Sequence, residues 1–378
     1  MQFCNLKQQY QELKPEIDNA IAQVLEHGMY IGGPEVAELE KKCTDFTGSS
    51  YAKACSSGTD ALVLALMAYE VGHGDYVITT PFTFIATAEC IALVGAKPLF
   101  VDIDPKTYNI CPQKLKELLE TTDVPLEKIK GVIPVDLYGQ CADYEAIREV
   151  IKDYNLFIVQ DAAQSFGAEY KGVKAGSHGD IGTTSFFPAK PFGCYGDGGM
   201  VFTSDAGLDE KLNWLRNHGQ NERYKHKIIG INGRLDSMQC AVLNAKFDRF
   251  VNLEIRKRNN TANKYMELLK PLADAGKIVL PYVMPDTVHV WAQFTLQAVE
   301  RDKLMKYMQD NQVPCAVHYP MPLHLQEAFA DLGYKKGDFP ISEEMSEKVV
   351  SLPMCAYKTD AEIEEVCDVI SSFYRKMG

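Results

Sequence analysis

No Cys-x-x-Cys spacing occurs among the eleven cysteines of this 378-residue chain, and their number is odd. That scatter excludes a paired disulfide framework and a zinc knuckle, so no metal is expected and a reducing compartment fits best. A run of about 18 apolar residues is also missing. The first ten residues lack the basic-then-apolar layout of a secretory leader. The expectation is a cytoplasmic protein with no membrane span. Positive charge is in deficit, 39 Lys and Arg against 51 Asp and Glu for a net −12, which argues against nucleic acid or an anionic membrane as partner. Anionic small molecules are not excluded, because a local cluster of donors overrules global charge. There is no internal repeat and no low-complexity tract. What remains is an ordinary globular composition, 46% hydrophobic and 24% charged, long enough for about two domains and a core that needs no staples.

Apolar periodicity predicts a helix over 6–25 that stops at Gly28, and a second from Pro34 towards residue 46. Alternation follows: helices over 59–69, 83–94 and 144–154, and short apolar runs at 76–80, 97–102, 131–136 and 156–160. Such alternation predicts an α/β fold whose mixed, mainly parallel sheet carries helices on both faces. Its ligand face should lie at the carboxyl ends of the strands. Beyond residue 205 the pattern turns helical, over 209–217 and 235–269. A strand at 289–298, a helix at 301–309, an extended stretch at 314–320 and a closing helix at 360–375 follow. The expected division is a large domain over 1–250 and a smaller α/β domain over 251–378.

Asp161 follows an apolar strand at the ligand face, where an unpaired carboxylate is costly. Taken alone it is as well read as a helix cap. Lys190 stands between two prolines, among glycines and aromatics, where most lysines would be solvated. Beside Asp161 another role is better. A lysine in apolar surroundings loses its proton more readily and becomes a nucleophile towards an aldehyde. A carboxylate set against a pyridinium nitrogen keeps that ring an electron sink. Phe84 is the candidate to stack on the ring, although its spacing alone suits a core residue. The turn Ala54-Cys-Ser-Ser-Gly-Thr-Asp60 opens a helix, so Ser57, Gly58 and Thr59 offer an anion cradle, with Ser185 as a further donor. Together these describe a pyridoxal phosphate site.

Asp161-Ala-Ala-Gln164, Ser185 through Lys190, Gly196-Asp-Gly-Gly199 and Asn232-Gly-Arg-Leu-Asp236 resemble the DegT/DnrJ/EryC1/StrS sugar aminotransferases, in family order and over essentially the whole chain. The resemblance implies a fold type I, aspartate-aminotransferase-like enzyme that uses pyridoxal 5'-phosphate. It implies a homodimer with shared sites, L-glutamate as amino donor and a nucleotide-linked keto-sugar as acceptor. Lys190 would be the Schiff-base lysine and proton shuttle. Asp161 would face the pyridinium nitrogen, Gln164 the ring hydroxyl and Phe84 the ring. Ser57, Gly58, Thr59, Ser185 and Asn232 of the partner subunit would hold the phosphate. Two departures known in the family are absent: Lys190 is not replaced by histidine, and Cys315, Cys355 and Cys367 lack the spacing of an iron–sulfur cluster.

Stretches such as Leu137-Tyr-Gly-Gln-Cys-Ala-Asp143 and Ala316-Val-His-Tyr-Pro320 resemble members acting on a UDP-linked 3-keto sugar, most closely UDP-2-acetamido-2-deoxy-3-oxo-D-glucuronate, on the way to O-antigen. There Arg234, His318 and Tyr319 would hold the uronate, an arginine fork being suited to a carboxylate. The lesser alternative for Arg234 is a structural ion pair with Asp236 or a neighbour. Tyr30, and Arg223 in the polar segment 218–226, complete the candidate substrate residues. The alternatives are a C4 aminotransferase of a UDP- or dTDP-4-keto-6-deoxy sugar, and a non-catalytic regulator that keeps the fold.

Overall fold

The computed structural model describes residues 1–377. Seven strands form its main sheet: β1 Tyr51–Cys55, β2 Tyr76–Thr79, β3 Lys97–Phe100, β4 Ile129–Val132, β5 Phe157–Asp161, β6 Ile181–Ser185 and β7 Gly199–Thr203. Their spatial order is β1-β7-β6-β5-β4-β2-β3. The five strands β3, β2, β4, β5 and β6 pair in parallel, whereas β7 runs against both β6 and β1. Six chain directions therefore agree, and one edge collects the ends of β1 to β6 together with the start of β7. The sheet is mixed and mainly parallel, as its apolar, non-alternating strands predict.

Helices cover both faces. Gly58–Ala68 is apolar almost all round and is buried between the sheet and Ala86–Leu93, with its N-terminus capped by Ser57 Oγ accepting from Asp60 N–H. The expected helix over 6–25 is two helices, Leu6–Glu12 and Lys14–His27. Pro15 explains the break, since proline is tolerated in a first turn but not in an interior. The helix expected over 83–94 begins only at Ala86, leaving Pro81 to Phe84 as a turn at the ligand edge. The long helix expected over 235–269 is Ser237–Arg249, one wider π-helical turn Phe250–Glu254, and Ile255–Asp274. The strand expected from 289 begins at Phe294, because Trp291 sits at φ 51° with its N–H turned to His289 Nδ1.

A second, antiparallel sheet joins β8 Ile278–Val279, β9 Phe294–Ala298 and β10 Val349–Leu352, with β9 central. Ile255–Asp274, Arg301–Asp310 and Asp360–Met377 pack on it around Tyr265, Phe294, Leu304, Val350 and Ile370. Residues 321–349 then return to the main sheet. Leu323, Phe329 and Phe339 pack on Ala88 and Phe100, while Met345 and Val349 pack on Phe82 and Ile103. Asp102, just past β3, is the polar fastener of this return. Its buried carboxylate accepts from Ile341 N–H and Ser342 N–H, both at 2.9 Å, and from Ser342 Oγ at 2.6 Å. These amides belong to the first turn of Pro340–Lys348, where a helix has no internal acceptor.

Asp102→Ala strands those donors away from water, so we expect a loss of about 1–3 kcal/mol of stability. Denaturant unfolding checks this, and an unchanged midpoint would show that Asp102 does not fasten the return segment.

Candidate active site

Three of the parallel strands run out into an aspartate on the ligand edge: Asp102 after β3, Asp136 after β4 and Asp161 as the last residue of β5. Asp161 is buried, and two donors fix it: Thr87 Oγ1 to Oδ2 at 2.8 Å and Ala163 N–H to Oδ1 at 3.1 Å. Burial pushes its carboxyl above the ordinary range, against Thr87, Ala163 and the charge of Lys190. Lys190 lies in the loop between β6 and β7, where its N–H closes a turn onto Phe187 C=O at 2.9 Å. Burial draws its ammonium below the ordinary value, and Asp161 is the charge that pulls it back. Burial thus weighs against the charged form of each group, and the opposite charge of the other works against burial.

The turn that opens Gly58–Ala68 is a product of close approach. A Cβ on Gly58 would lie 2.7 Å from Ser185 Cβ, and one on Gly199 would lie 2.3 Å from Ser57 C=O. Only glycine lets the ends of β1 and β6 and the start of β7 meet here. The first amides of Gly58–Ala68 therefore open beside Ser57, Thr59 and Ser185. Phe84 is 54% exposed, so the core reading of it is wrong. Its ring stands 6.1 Å from that of Tyr319. Tyr319 O–H accepts from Gln164 Nε2 at 3.0 Å, while Gln164 Oε1 accepts from Tyr138 N–H at 2.7 Å. His318 is hydrogen-bonded through Nδ1 to Ser351 Oγ at 2.8 Å, and burial with the nearby Lys190 charge brings its imidazole down to about 4.

One cleft edge thus brings together Lys190, Asp161, Gln164, Phe84, Ser57, Gly58, Thr59, Ser185, His318 and Tyr319. The other candidates lie towards the outer surface of the same chain. Gly233 C=O accepts from Ser56 N–H at 3.1 Å, which sets Asn232 and Arg234 beside the outer side of the phosphate turn, with Asn232 exposed. Arg234 donates to Asn217 Oδ1 at 2.5 Å and leaves its buried Nε without a partner. The ion pair with Asp236 does not form, because that carboxylate caps Ser237–Arg249 by accepting from Gln239 N–H at 2.8 Å. Tyr30 is exposed, and Arg223 stacks its guanidinium 5.2 Å from the ring of Tyr224 on an exposed hairpin.

Two residues of this edge escaped the sequence reading. Thr87 carries no spacing signal. Asp136 does: it repeats the pattern of an apolar strand followed by aspartate. Its Oδ1 accepts from Ala142 N–H and Tyr144 O–H at 2.9 and 2.8 Å, and its Oδ2 from Gln160 Nε2 and Ser165 Oγ, both at 2.7 Å. Its own N–H donates to Asp161 C=O at 3.0 Å. Asp136 is the keystone under the turn that carries Asp161 and Gln164.

Fold and site together define a transferase of the aspartate-aminotransferase type. The chain belongs to the DegT/DnrJ/EryC1/StrS aminotransferase family, whose profile matches residues 11–371. It is 44% identical to the UDP-2-acetamido-2-deoxy-3-oxo-D-glucuronate aminotransferase of Pseudomonas aeruginosa, over 98% of this chain and 100% of that one. It is 42% identical to a pleiotropic regulatory protein of Geobacillus stearothermophilus, over 99% and 98%. Among solved structures, a DegT DnrJ EryC1 StrS aminotransferase from Brucella abortus superposes with a TM-score of 0.93 at 39% identity, covering 99% of each chain. NtdA of Bacillus subtilis, solved with bound cofactor PMP, gives 0.88 at 30% identity, covering 96% of this chain and 82% of that one.

The Asp136 carboxyl is pushed up to about 6 by burial, against its four donors. In an unfolded chain it titrates near ~3.9. A group raised by folding contributes most below its unfolded value, and the contribution is lost as pH rises through the folded one. Asp136→Asn removes this titration, so its melting temperature should improve relative to the native chain between about pH 4 and about pH 7. A constant offset across that window would show that Asp136 titrates as it does unfolded.

Proposed function

We propose that this aminotransferase moves the amino group of L-glutamate to C3 of a UDP-linked 3-keto sugar, UDP-2-acetamido-2-deoxy-3-oxo-D-glucuronate, for a surface polysaccharide of the O-antigen kind. The observation that carries the substrate is the end-to-end likeness to the Pseudomonas aeruginosa protein named for that ketone. Two further proposals accompany it, a homodimer and a cytoplasmic location. Exposed Met29, Tyr30, Ile31, Phe187, Tyr224 and Ile229 give the chain an apolar surface suited to a second copy. The eleven unpaired thiols suit a reducing compartment. Among the described residues no helix is long and apolar enough to cross a membrane.

The residues fit pyridoxal 5'-phosphate, the cofactor of this aminotransferase. A half-exposed aromatic faces a cleft that holds a buried carboxylate, an amine of lowered basicity and a helix N-terminus opened by two close glycines. When bound, the cofactor supplies an electron sink that makes a proton on the adjacent carbon acidic. Asp161, Gln164 and Phe84 would hold its ring. Ser57, Gly58, Thr59, Ser185 and Asn232 of the partner subunit would hold its phosphate.

Lys190 Nζ does the proton work. Its neutral amine is favoured by burial, so it takes a proton at Nζ as a base and returns it as an acid. Asp161 stays anionic towards a cationic ring nitrogen because Thr87 Oγ1 and Ala163 N–H already point at its oxygens. Tyr319, held by Gln164, and His318, neutral on Ser351, wall the cleft and exclude water. Arg234, Tyr30 and Arg223 would bind the sugar carboxylate and the nucleotide.

The test supplies purified protein, pyridoxal phosphate and glutamate with the 3-keto uronate, generated in place by its dehydrogenase. A parallel tube holds a UDP-4-keto-6-deoxy sugar, and mass spectrometry follows both. We expect the 3-amino uronate in the first tube. Amination confined to the second would replace the substrate with the C4 alternative.

The likeness to a regulatory protein supports a second, non-catalytic reading, which Lys190→Ala separates. As an enzyme, the variant should lose the visible absorbance of the cofactor joined to Lys190 and about 10²–10⁴-fold in turnover. An unchanged spectrum would remove Lys190 from the site.

A further inference from the structure

The N-terminal segment is laid along the stretch that follows β10. Met354 N–H donates to Phe3 C=O at 3.0 Å, Lys358 Nζ donates to Gln2 C=O, and Asn5 N–H donates to Cys355 Sγ at 3.4 Å. The Phe3 ring lies 6.3 Å from that of His318, so this segment backs onto one wall of the active site. Within it the partly buried Cys4 packs against the buried cluster of Cys355, Ala356 and Tyr357. A second observation comes from Arg258. Its side chain is 4% exposed, one nitrogen donates to Trp291 C=O at 2.9 Å, and its Nε is buried without a partner. The charge of this guanidinium acts on both sulfurs. An under-partnered buried cation whose charge reaches both thiols favours a sulfur anion there.

We propose that Cys4 and Cys355 are a redox modification site, at which a small disulfide of the glutathione type oxidises the two thiols to an intramolecular disulfide that ties the first residues beside His318. Cys4, partly exposed, is the entry point, and Cys355, 2% exposed, is the resolving sulfur. Cys4 sulfur attacks one sulfur of the reagent, and its proton goes to the small thiolate that leaves. That S–S bond breaks, a mixed disulfide forms, and one small thiolate leaves and is protonated. Cys355 sulfur then attacks the Cys4 sulfur and expels the second small thiol, which takes the remaining proton. Two protein thiols are oxidised and the reagent disulfide is reduced to two thiols. With Cys4 held in the mixed disulfide, Asn5 N–H and the Arg258 charge still favour the Cys355 thiolate against burial, which readies it for the second step.

The full-length protein loaded with its cofactor is equilibrated in glutathione buffers of increasing oxidised fraction, quenched in acid, alkylated and peptide-mapped. The expected result is loss of two alkylatable thiols and a linked peptide pair joining residues 4 and 355, reversed by dithiothreitol. In Cys355→Ser, Cys4 should stop at the mixed glutathione disulfide. In Cys4→Ser, Cys355 should stay free. Amide exchange at Met354 should slow in the linked protein, since the segment can no longer lift. Full alkylation of both cysteines at every ratio, or a link joining other cysteines, overturns the pair. Unchanged exchange at Met354 overturns the tether.

Discussion

Everything at the ligand edge depends on keeping a carboxylate and an amine out of water without letting them collapse into a simple ion pair. Burial favours the neutral form of both Asp161 and Lys190, while the attraction between them favours the charged forms. The site is poised between the two tendencies, which is what a group that must both accept and return a proton requires. Such poise survives only if the surroundings do not relax. Thr87 and Ala163 hold the Asp161 oxygens, and Asp136 holds the backbone from which Asp161 projects. The glycines at 58 and 199 bring three strand ends close enough to give the phosphate turn its shape.

The fold was largely legible because its signals are repetitive. Apolar runs alternating with helices announce a parallel sheet, and a parallel sheet assigns the ligand edge. Lys190 and Asp161 were legible because each is out of place chemically, an ion-forming residue in an apolar stretch. Phe84 was picked only in company with Lys190 and Asp161, since a periodicity argument alone counts every phenylalanine as core. Its exposure follows from the late start of the helix at Ala86, a boundary set by the turn that Pro81 begins. For Arg234 the alternative of an ion pair with Asp236 falls away for a local reason. The nearest carboxylate in sequence, Asp236, is already committed to capping a helix.

What no pattern could supply is long-range polar partnership. Thr87 reaches Asp161 from another helix, and Gln164 joins Tyr138 to Tyr319 across a large sequence separation. Such contacts depend on how elements stack. Asp136 is the instructive intermediate: its place after an apolar strand repeats that of Asp161, but its four donors divert it from chemistry to support. The same local signature therefore yields the carboxylate proposed to face the cofactor at one strand end, a keystone at the next and a fastener at Asp102.

That fastener has a consequence for the order in which the molecule is completed. Asp102 and Ile341 are separated by 239 positions in the chain. β3 is an edge strand, and its outer flank is covered by Phe329 and Phe339, which are synthesised long after it. Until they arrive, a nascent chain carries an uncovered parallel edge and a carboxylate that has only the local Ile103 amide to accept from. The ribosome thus releases most of the main sheet before the piece that seals it exists, and closing so long a loop is entropically slow. An exposed edge is also a template for pairing with another chain. The charged Lys97 at the head of β3, left exposed in the finished fold, is placed to discourage that pairing in the interval.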